Sequence, residues 1–292
     1  MNATEQALPA IDPRWGEPGP MHDPYVLAHF RARPTDVLIT TAPKCGTTWM
    51  QQILHQLRTG GDPHFGSLYE VVPWLEKTQP GRSFREVVAD FDRLPDPRIF
   101  KTHCTYEQTP GSGSARIILT TRDPRDAFVS MLHHLRDMTD EAFVAMGGER
   151  PPTDVDSAFE NWMKRRSWFR NLSGWWPHRN DPNVLLLRYE DLVRDLPSAV
   201  DRILEHLGWS VDAAARARAL EYSSFEWMAA HRDKFTRFSS AAPSHFKPGG
   251  FIRKGTVGDH RGLLRPEHEQ RIFEEARACL EPECLAFLGL PI

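Results

Sequence analysis

The sequence predicts an α/β fold: a single domain with a central parallel β-sheet flanked by helices and carrying a P-loop-like anion loop. Three observations predict it. Short apolar, β-branched runs recur along the chain, helical patterns stand between them, and the chemically potent residues fall where the runs end. Ligands of parallel sheets bind beyond the carboxyl ends of the strands, so Lys44, His103, Arg122 and Tyr189 become candidates together.

Residues 1–25 are polar and rich in Pro and Gly, and are expected to form a flexible arm before a domain over 26–292. No basic start leads into an apolar run there, so a signal peptide is not expected. Val37-Leu38-Ile39-Thr40-Thr41 reads as a buried strand. Ala42 to Thr48 forms the turn after it, and Trp49, Ile53, Leu54 and Leu57 give the apolar stripe of a helix stopped by Gly60-Gly61-Asp62-Pro63. Arg98 to Thr102 is a second strand, ending at His103. Ile117 to Thr120 is a third, ending at Arg122. Asp123 then suits a helix N-cap and Pro124 the first helical position. Val184 to Leu187 is a fourth apolar run. Segments 60–82, 138–156 and 229–250 lack periodicity and read as long, functional loops.

The bulk numbers narrow the function. With 36 Lys and Arg against 39 Asp and Glu, the 292-residue chain has a net charge of −3, which argues against a nucleic-acid partner but leaves room for a local basic pocket. No stretch approaches the roughly 18 apolar residues of a membrane span, so stable membrane insertion is not expected. The four cysteines, Cys45, Cys104, Cys279 and Cys284, do not form a zinc pattern, and a reducing, cytoplasmic setting is expected. No carboxylate cluster suggests a metal site.

Pro43-Lys44-Cys45-Gly46-Thr47-Thr48-Trp49 has the physics of an anion cradle. Gly46 allows amides to converge at a helix N-terminus, Lys44 brings a full charge, and Thr47 and Thr48 bring hydroxyls. The order differs from the nucleotide-triphosphatase loop, in which Gly precedes Lys. A second motif runs from Arg122 to Ser130; a helix of about two turns brings the hydroxyl beside the guanidinium, so both can meet one phosphate. A third, Phe251-Ile252-Arg253-Lys254-Gly255 through Gly258-Asp259, sets two cations beside glycines.

These three elements, in this order, resemble the cytosolic-type sulfotransferase family over roughly residues 25–290. Pro73-Trp74-Leu75-Glu76, Lys101-Thr102-His103, Trp175-Trp176, Arg188 to Leu192 and Ser223-Ser224-Phe225 echo it further. The resemblance implies a sulfotransferase using 3′-phosphoadenosine-5′-phosphosulfate (PAPS) and releasing adenosine 3′,5′-bisphosphate (PAP). It implies that Lys44 to Trp49 hold the phosphosulfate, that Arg122, Ser130 and residues 251–255 read the 3′-phosphate, and that Trp49, Tyr189, Ser223 and Phe225 surround the adenine. His103 is implied as catalytic base, Lys44 as partner of the bridging oxygen and Lys101 of the sulfuryl oxygens; Ser130 is implied to restrain Lys44. Cys45 stands where Ser is usual, and His260 where Trp is usual. A thiol at a helix N-terminus beside Lys44 is expected to have a lowered pKa, with a buried inert thiol as the alternative.

Two other readings use the same anion site: a kinase using ATP and magnesium, and a nucleotide-binding module without activity. The displaced lysine argues against the first, and Lys44 with His103 against the second. Phe65, Tyr69, Trp74, Phe143, Met146, Phe235 and Phe238 in the long loops suggest an apolar pocket, hence a hydrophobic small-molecule acceptor with a hydroxyl or amine. The family's dimer segment is not recognisable in Arg261 to Gln270, so a homodimer is expected to use another surface.

Overall fold

The computed structural model describes residues 8–292. Four strands form one sheet among these residues: β1 (Val37–Ile39), β2 (Ile99–Lys101), β3 (Arg116–Thr121) and β4 (Val184–Arg188), in the order β2-β1-β3-β4. All three pairings are parallel, with Val37 opposite both Ile99 and Arg116, and Ile117 opposite Val184. Parallel strands need covered faces, and both faces here are apolar. Val37, Ile39, Ile99 and Ile118 pack on one side; Leu38, Phe100, Ile117 and Leu119 pack on the other.

Helices supply the cover. α1 (Pro24–His29) precedes the first strand and α2 (Thr47–Thr59) follows it; α3 (Leu68–Val71) and α4 (Phe84–Asp92) lead to β2, and α5 (Pro124–Asp137) leaves β3. α6 (Asp140–Ala145), α7 (Val155–Arg165) and α8 (Ser167–Trp175) precede β4. Beyond it come α9 (Tyr189–Arg194), α10 (Leu196–Leu207), α11 (Ala213–Tyr222), α12 (Phe225–Ala230), α13 (Pro266–Cys279) and α14 (Pro282–Leu288). The caps read from sequence hold: Asp123 caps α5 through the Arg125 amide, with Pro124 at the first position, and Gly60 ends α2 in the left-handed conformation.

Two expectations change. The arm over 1–25 is tied down across its described part: Trp15 is buried against the sheet core, Asp12 caps a short 3₁₀ turn, and the Asp23 amide donates to the Glu76 carbonyl. Its early residues, 1–7, lie outside the described residues. The non-periodic segments also carry structure, with α3 inside 60–82, α6 inside 138–156 and a 3₁₀ turn, Arg232–Lys234, inside 229–250. Helices of one turn or so are too short to show a 3.6-residue period, although the Ser67–Glu70 capping box was a local signal. No helix among the described residues is long and apolar enough to cross a membrane.

The outer edge of β2 is closed by residues 73–75. The Lys101 amide donates to the Pro73 carbonyl, and the Leu75 amide donates to the Lys101 carbonyl. Below the site, Arg98 is anchored on Asp36 through Nε at 2.8 Å and Nη2 at 2.6 Å, with both side chains fully buried. Asp36→Ala leaves that guanidinium with Asp92 as its one acidic partner among the described residues. The expected loss is about 3–5 kcal/mol, measured by urea unfolding; a loss below about 1 kcal/mol, the worth of a surface ion pair, would mean that Arg98 is solvated through Asp92 instead.

Candidate active site

A cavity of about 860 Å³ opens beyond the carboxyl ends of the strands. Every residue expected as catalytic or cofactor-binding lines it except Cys45 and Ser223. The local fold explains the gathering. β1 leads through residues 40–43 to Lys44, and β2, β3 and β4 end just before His103, Arg122 and Tyr189, so parallel strands deliver four loops to one place.

The anion loop is built by backbone conformation and two threonines. Lys44 and Gly46 are both left-handed, with φ of 69° and 95°. For Lys44 that conformation is costly, and it marks a loop held by its surroundings. The Thr120 amide donates to Thr41 Oγ1, the two hydroxyls lie 2.9 Å apart, and Thr120 Oγ1 donates to the Cys45 carbonyl. A Cβ on Gly46 would sit 3.0 Å from the Tyr189 ring, a second reason for glycine there. The same alternation turns the Cys45 side chain inward, onto the core with Phe128 and Trp168. Its amide donates to the Ala42 carbonyl rather than to the cavity. Burial pushes the thiol up to about 12, so the expectation of a reactive, cofactor-facing Cys45 is corrected: the thiol is buried and protonated.

His103 is held on three sides. Its amide donates to Glu76 Oε1 at 2.8 Å, and Nδ1 lies 2.6 Å from the Thr41 carbonyl. A carbonyl can only accept, so Nδ1 carries the proton and Nε2 keeps its lone pair. Lys101 Nζ donates to that nitrogen at 3.2 Å. Burial, then the Lys101 charge, holds the imidazole well below its ordinary pKa and therefore neutral. Lys101 itself is pushed down to about 7, chiefly by burial, while its ammonium sits 3.3 Å from the Trp74 ring centroid.

Lys44 is pushed down to about 8 by burial and by Arg122. Its ammonium donates to His134 Nδ1 at 3.1 Å. Ser130, expected to restrain Lys44, lines the cavity one turn earlier on α5, while the direct acceptor from Lys44 is His134. His134 had no signal beyond following Ser130 by four residues, the spacing of one helical face.

Arg122 is buried, donates to the Thr256 carbonyl at 3.0 Å and lies 4.4 Å from the Tyr189 ring centroid. Asp126 ties this corner to the C-terminal loop. It accepts the Gly258 and His260 amides and lies 2.7 Å from His260 Nδ1. Those hydrogen bonds outweigh burial and hold Asp126 below the ordinary carboxylate range. His260, in place of the usual Trp, therefore fills a buried slot by hydrogen bonding. Arg253 and Lys254 both pair with Asp259, which is pushed down to about 2 against the opposing effect of burial. Asn171, missed from sequence, donates to the carbonyls of Thr40 and Cys104 and locks the exits of β1 and β2 together.

The adenine corner is reached in part. Trp49 meets Tyr189 edge-on, and its Nε1 donates to the Ser223 carbonyl at 2.7 Å. Ser223 sits against Trp49 with its side chain buried. Thr47 Oγ1, Arg122 Nε and Ser223 Oγ are buried without a partner among the described residues. Buried polar atoms are normally satisfied, so orphaned Thr47 and Arg122 donors on the cavity wall fit an anion. A Cβ on Gly255 would meet Phe225 at 2.9 Å, which keeps that passage narrow. Of the apolar residues expected around the acceptor, Tyr69, Trp74, Phe143, Met146, Phe235 and Phe238 line the cavity; Phe65 instead joins the core beneath it.

Comparison with known proteins gives a concordant result. The family model described as the sulfotransferase domain matches residues 34–278. The chain is similar to "Cytosolic sulfotransferase 1" of Danio rerio, 32% identical over 270 residues covering 85% of each chain. It is 30% identical to the "Amine sulfotransferase" of Oryctolagus cuniculus, over 85% of this chain and 83% of that one. Among solved structures, mouse sulfotransferase SULT7A1 complexed with PAP superposes with a TM-score of 0.70 at 24% identity, covering 92% of this chain and 93% of that one. Retinol dehydratase in complex with androsterone and PAP gives 0.68 at 22% identity, covering 88% and 83%.

The inward turn of Cys45 has a chemical signature. Iodoacetamide at mildly alkaline pH should leave Cys45 unmodified in the native protein and alkylate it only after unfolding in urea, as read by peptide mass spectrometry. Native-state labelling of Cys45 as fast as that of the half-buried Cys279 would contradict this geometry.

Proposed function

The chain belongs to the sulfotransferase family, and from that membership we propose that it transfers the sulfuryl group of PAPS to a hydroxyl or amine on an apolar small molecule, with His103 as general base. The observation that carries the base assignment is the pair of bonds on its ring. Nδ1 is committed to the Thr41 carbonyl, and Nε2, neutral and basic, faces the cavity beside Lys101. A base needs its lone pair within hydrogen-bond reach of the proton it takes; Nε2 offers it once Lys101 turns its N–H from the imidazole to the sulfuryl oxygens.

The step balances simply. The acceptor oxygen forms a bond to sulfur as His103 Nε2 takes its proton. The bond from sulfur to the bridging oxygen breaks, and that oxygen leaves on PAP. Charge grows on the leaving phosphate and is spread over the sulfuryl oxygens, as in phosphoryl transfer. Lys44 is assigned to the bridging oxygen and Lys101 to the sulfuryl oxygens. Gly46, Thr47 and Thr48 are assigned to the 5′ side, with Arg122, Ser130 and residues 251–255 on the 3′-phosphate, and Trp49, Tyr189 and Phe225 around the base. The aromatic wall formed by Tyr69, Trp74, Phe143 and Phe238 supports an apolar acceptor. The name of the rabbit relative carries an amine, and retinol dehydratase was solved with androsterone, so both acceptor classes stay within the proposal.

Arg122→Ala should weaken PAPS about tenfold to a hundredfold, the worth of one charged hydrogen bond, and should weaken adenosine-5′-phosphosulfate, which lacks the 3′-phosphate, far less. Equal weakening of both ligands would remove Arg122 from the 3′-phosphate.

His103→Ala should lower turnover by about 10²–10⁴ while PAP affinity, measured by calorimetry, barely changes. The base works unprotonated, so wild-type activity is lost as pH falls through its pKa; that limb lies well below 6.5 and should be absent from the variant. The lysines work protonated, so kcat/KM for PAPS should fall as pH rises through about 7 to 8 in both proteins. Full turnover in His103→Ala would send the search for the base elsewhere.

A further inference from the structure

We propose that His134 is a positioning residue for Lys44, an inference that rests on Lys44 acting at the bridging oxygen. The ammonium of Lys44 has one direct hydrogen-bond acceptor among the described residues, His134 Nδ1 at 3.1 Å. Ammonium nitrogen can only donate, so His134 keeps its lone pair on Nδ1 and its proton on Nε2. The ring cannot turn freely. It lies 5.0 Å from the Phe246 centroid and 5.8 Å from that of Phe251, and Lys44 itself is 5.1 Å from the Phe251 centroid. A rigid acceptor on α5 therefore faces a flexible lysine on the loop after β1.

The surroundings explain why a neutral acceptor suits this place. Arg122 from the end of β3 and Arg253 from the C-terminal loop repel Lys44, whereas Asp137 on α5 pulls the other way. Lys101 and His103, from the end of β2, act on His134 along with Lys44. A carboxylate bonded to Lys44 would compete with an anionic ligand for its charge. An imidazole fixes one N–H of the ammonium and leaves two others for the cavity. His134 is thus the counterpart of His103: each neutral ring accepts from one lysine, His103 from Lys101 and His134 from Lys44.

The test is a coupling cycle. His134→Phe keeps a ring against Phe246 and Phe251 but removes the lone pair; His134→Leu is the second variant should the larger ring crowd its neighbours. Asparagine can present an oxygen near the place of Nδ1. In the wild-type background His134→Phe should lower kcat about tenfold to a hundredfold, the worth of a charged hydrogen bond, with PAP affinity and melting temperature little changed. His134→Asn should recover most of that loss. In a Lys44→Met background His134→Phe should add no further loss, because its route of action is already gone. Unchanged kcat in folded His134→Phe and His134→Leu, equal losses in both backgrounds, or failure of Asn to recover any rate would each overturn the proposal. If Lys44→Met kept full turnover, the assignment of Lys44 would fall, and this inference with it; a crippled Lys44→Met beside an unaffected His134→Phe would fell this inference alone.

Discussion

The hard physical task of this site is to hold cations of like charge in a buried cavity. Lys44, Lys101 and Arg122 converge on one end of a sheet, where desolvation disfavours the charged form of both lysines and repulsion from neighbouring cations adds to the cost. The fold answers with neutral partners. Lys44 rests on an imidazole and an aromatic face, Lys101 on an imidazole and Trp74, Arg122 on a carbonyl and Tyr189. Neither lysine is paired with a carboxylate among the described residues: Glu76 spends an oxygen on the His103 amide, and the nearby Asp126 pairs with Arg122 at 3.7 Å while accepting the Gly258 and His260 amides. Positive potential is thereby preserved for a ligand and not cancelled within the protein.

The geometry that makes this workable is inherited from the parallel sheet. Strand exits fix where each loop begins, and polar side chains then fix the loops to one another. Thr41 and Thr120 hold the anion loop, Asn171 binds the exits of β1 and β2, and Asp126 clasps the Gly258–His260 turn. Each of these groups is buried and tied to backbone groups of a distant segment, which favours one arrangement over many.

Much of this was legible in the sequence because it is local. A strand running into the turn that carries Lys44, a cap at Asp123 and a strand ending at His103 depend on neighbours in the chain, and sequence pattern reports neighbours. The relations that escaped are between distant segments. Nothing near residue 134 says that it will face Lys44, and nothing near Asn171 says that two carbonyls await it. Cys45 shows the same limit from the other side. Its position at a helix start suggested a reactive thiol, but the left-handed residues on either side of it decide which way it points. The short helices α3 and α6 escaped because a single turn has no period to read.

The closing of the β2 edge by residues 73–75 bears on assembly. An open strand edge is a template for pairing with another chain, and many symmetric pairs are joined by continuing a sheet from one subunit into the next. On this side the outward-facing amide and carbonyl of Lys101 are already taken by Leu75 and Pro73. Two copies of the chain cannot be stitched together there without first peeling away the segment that presents Trp74 and Glu76 to the cavity. Self-association along that margin and an intact catalytic pocket are mutually exclusive, so any partner subunit is steered towards the helical flanks or the opposite rim.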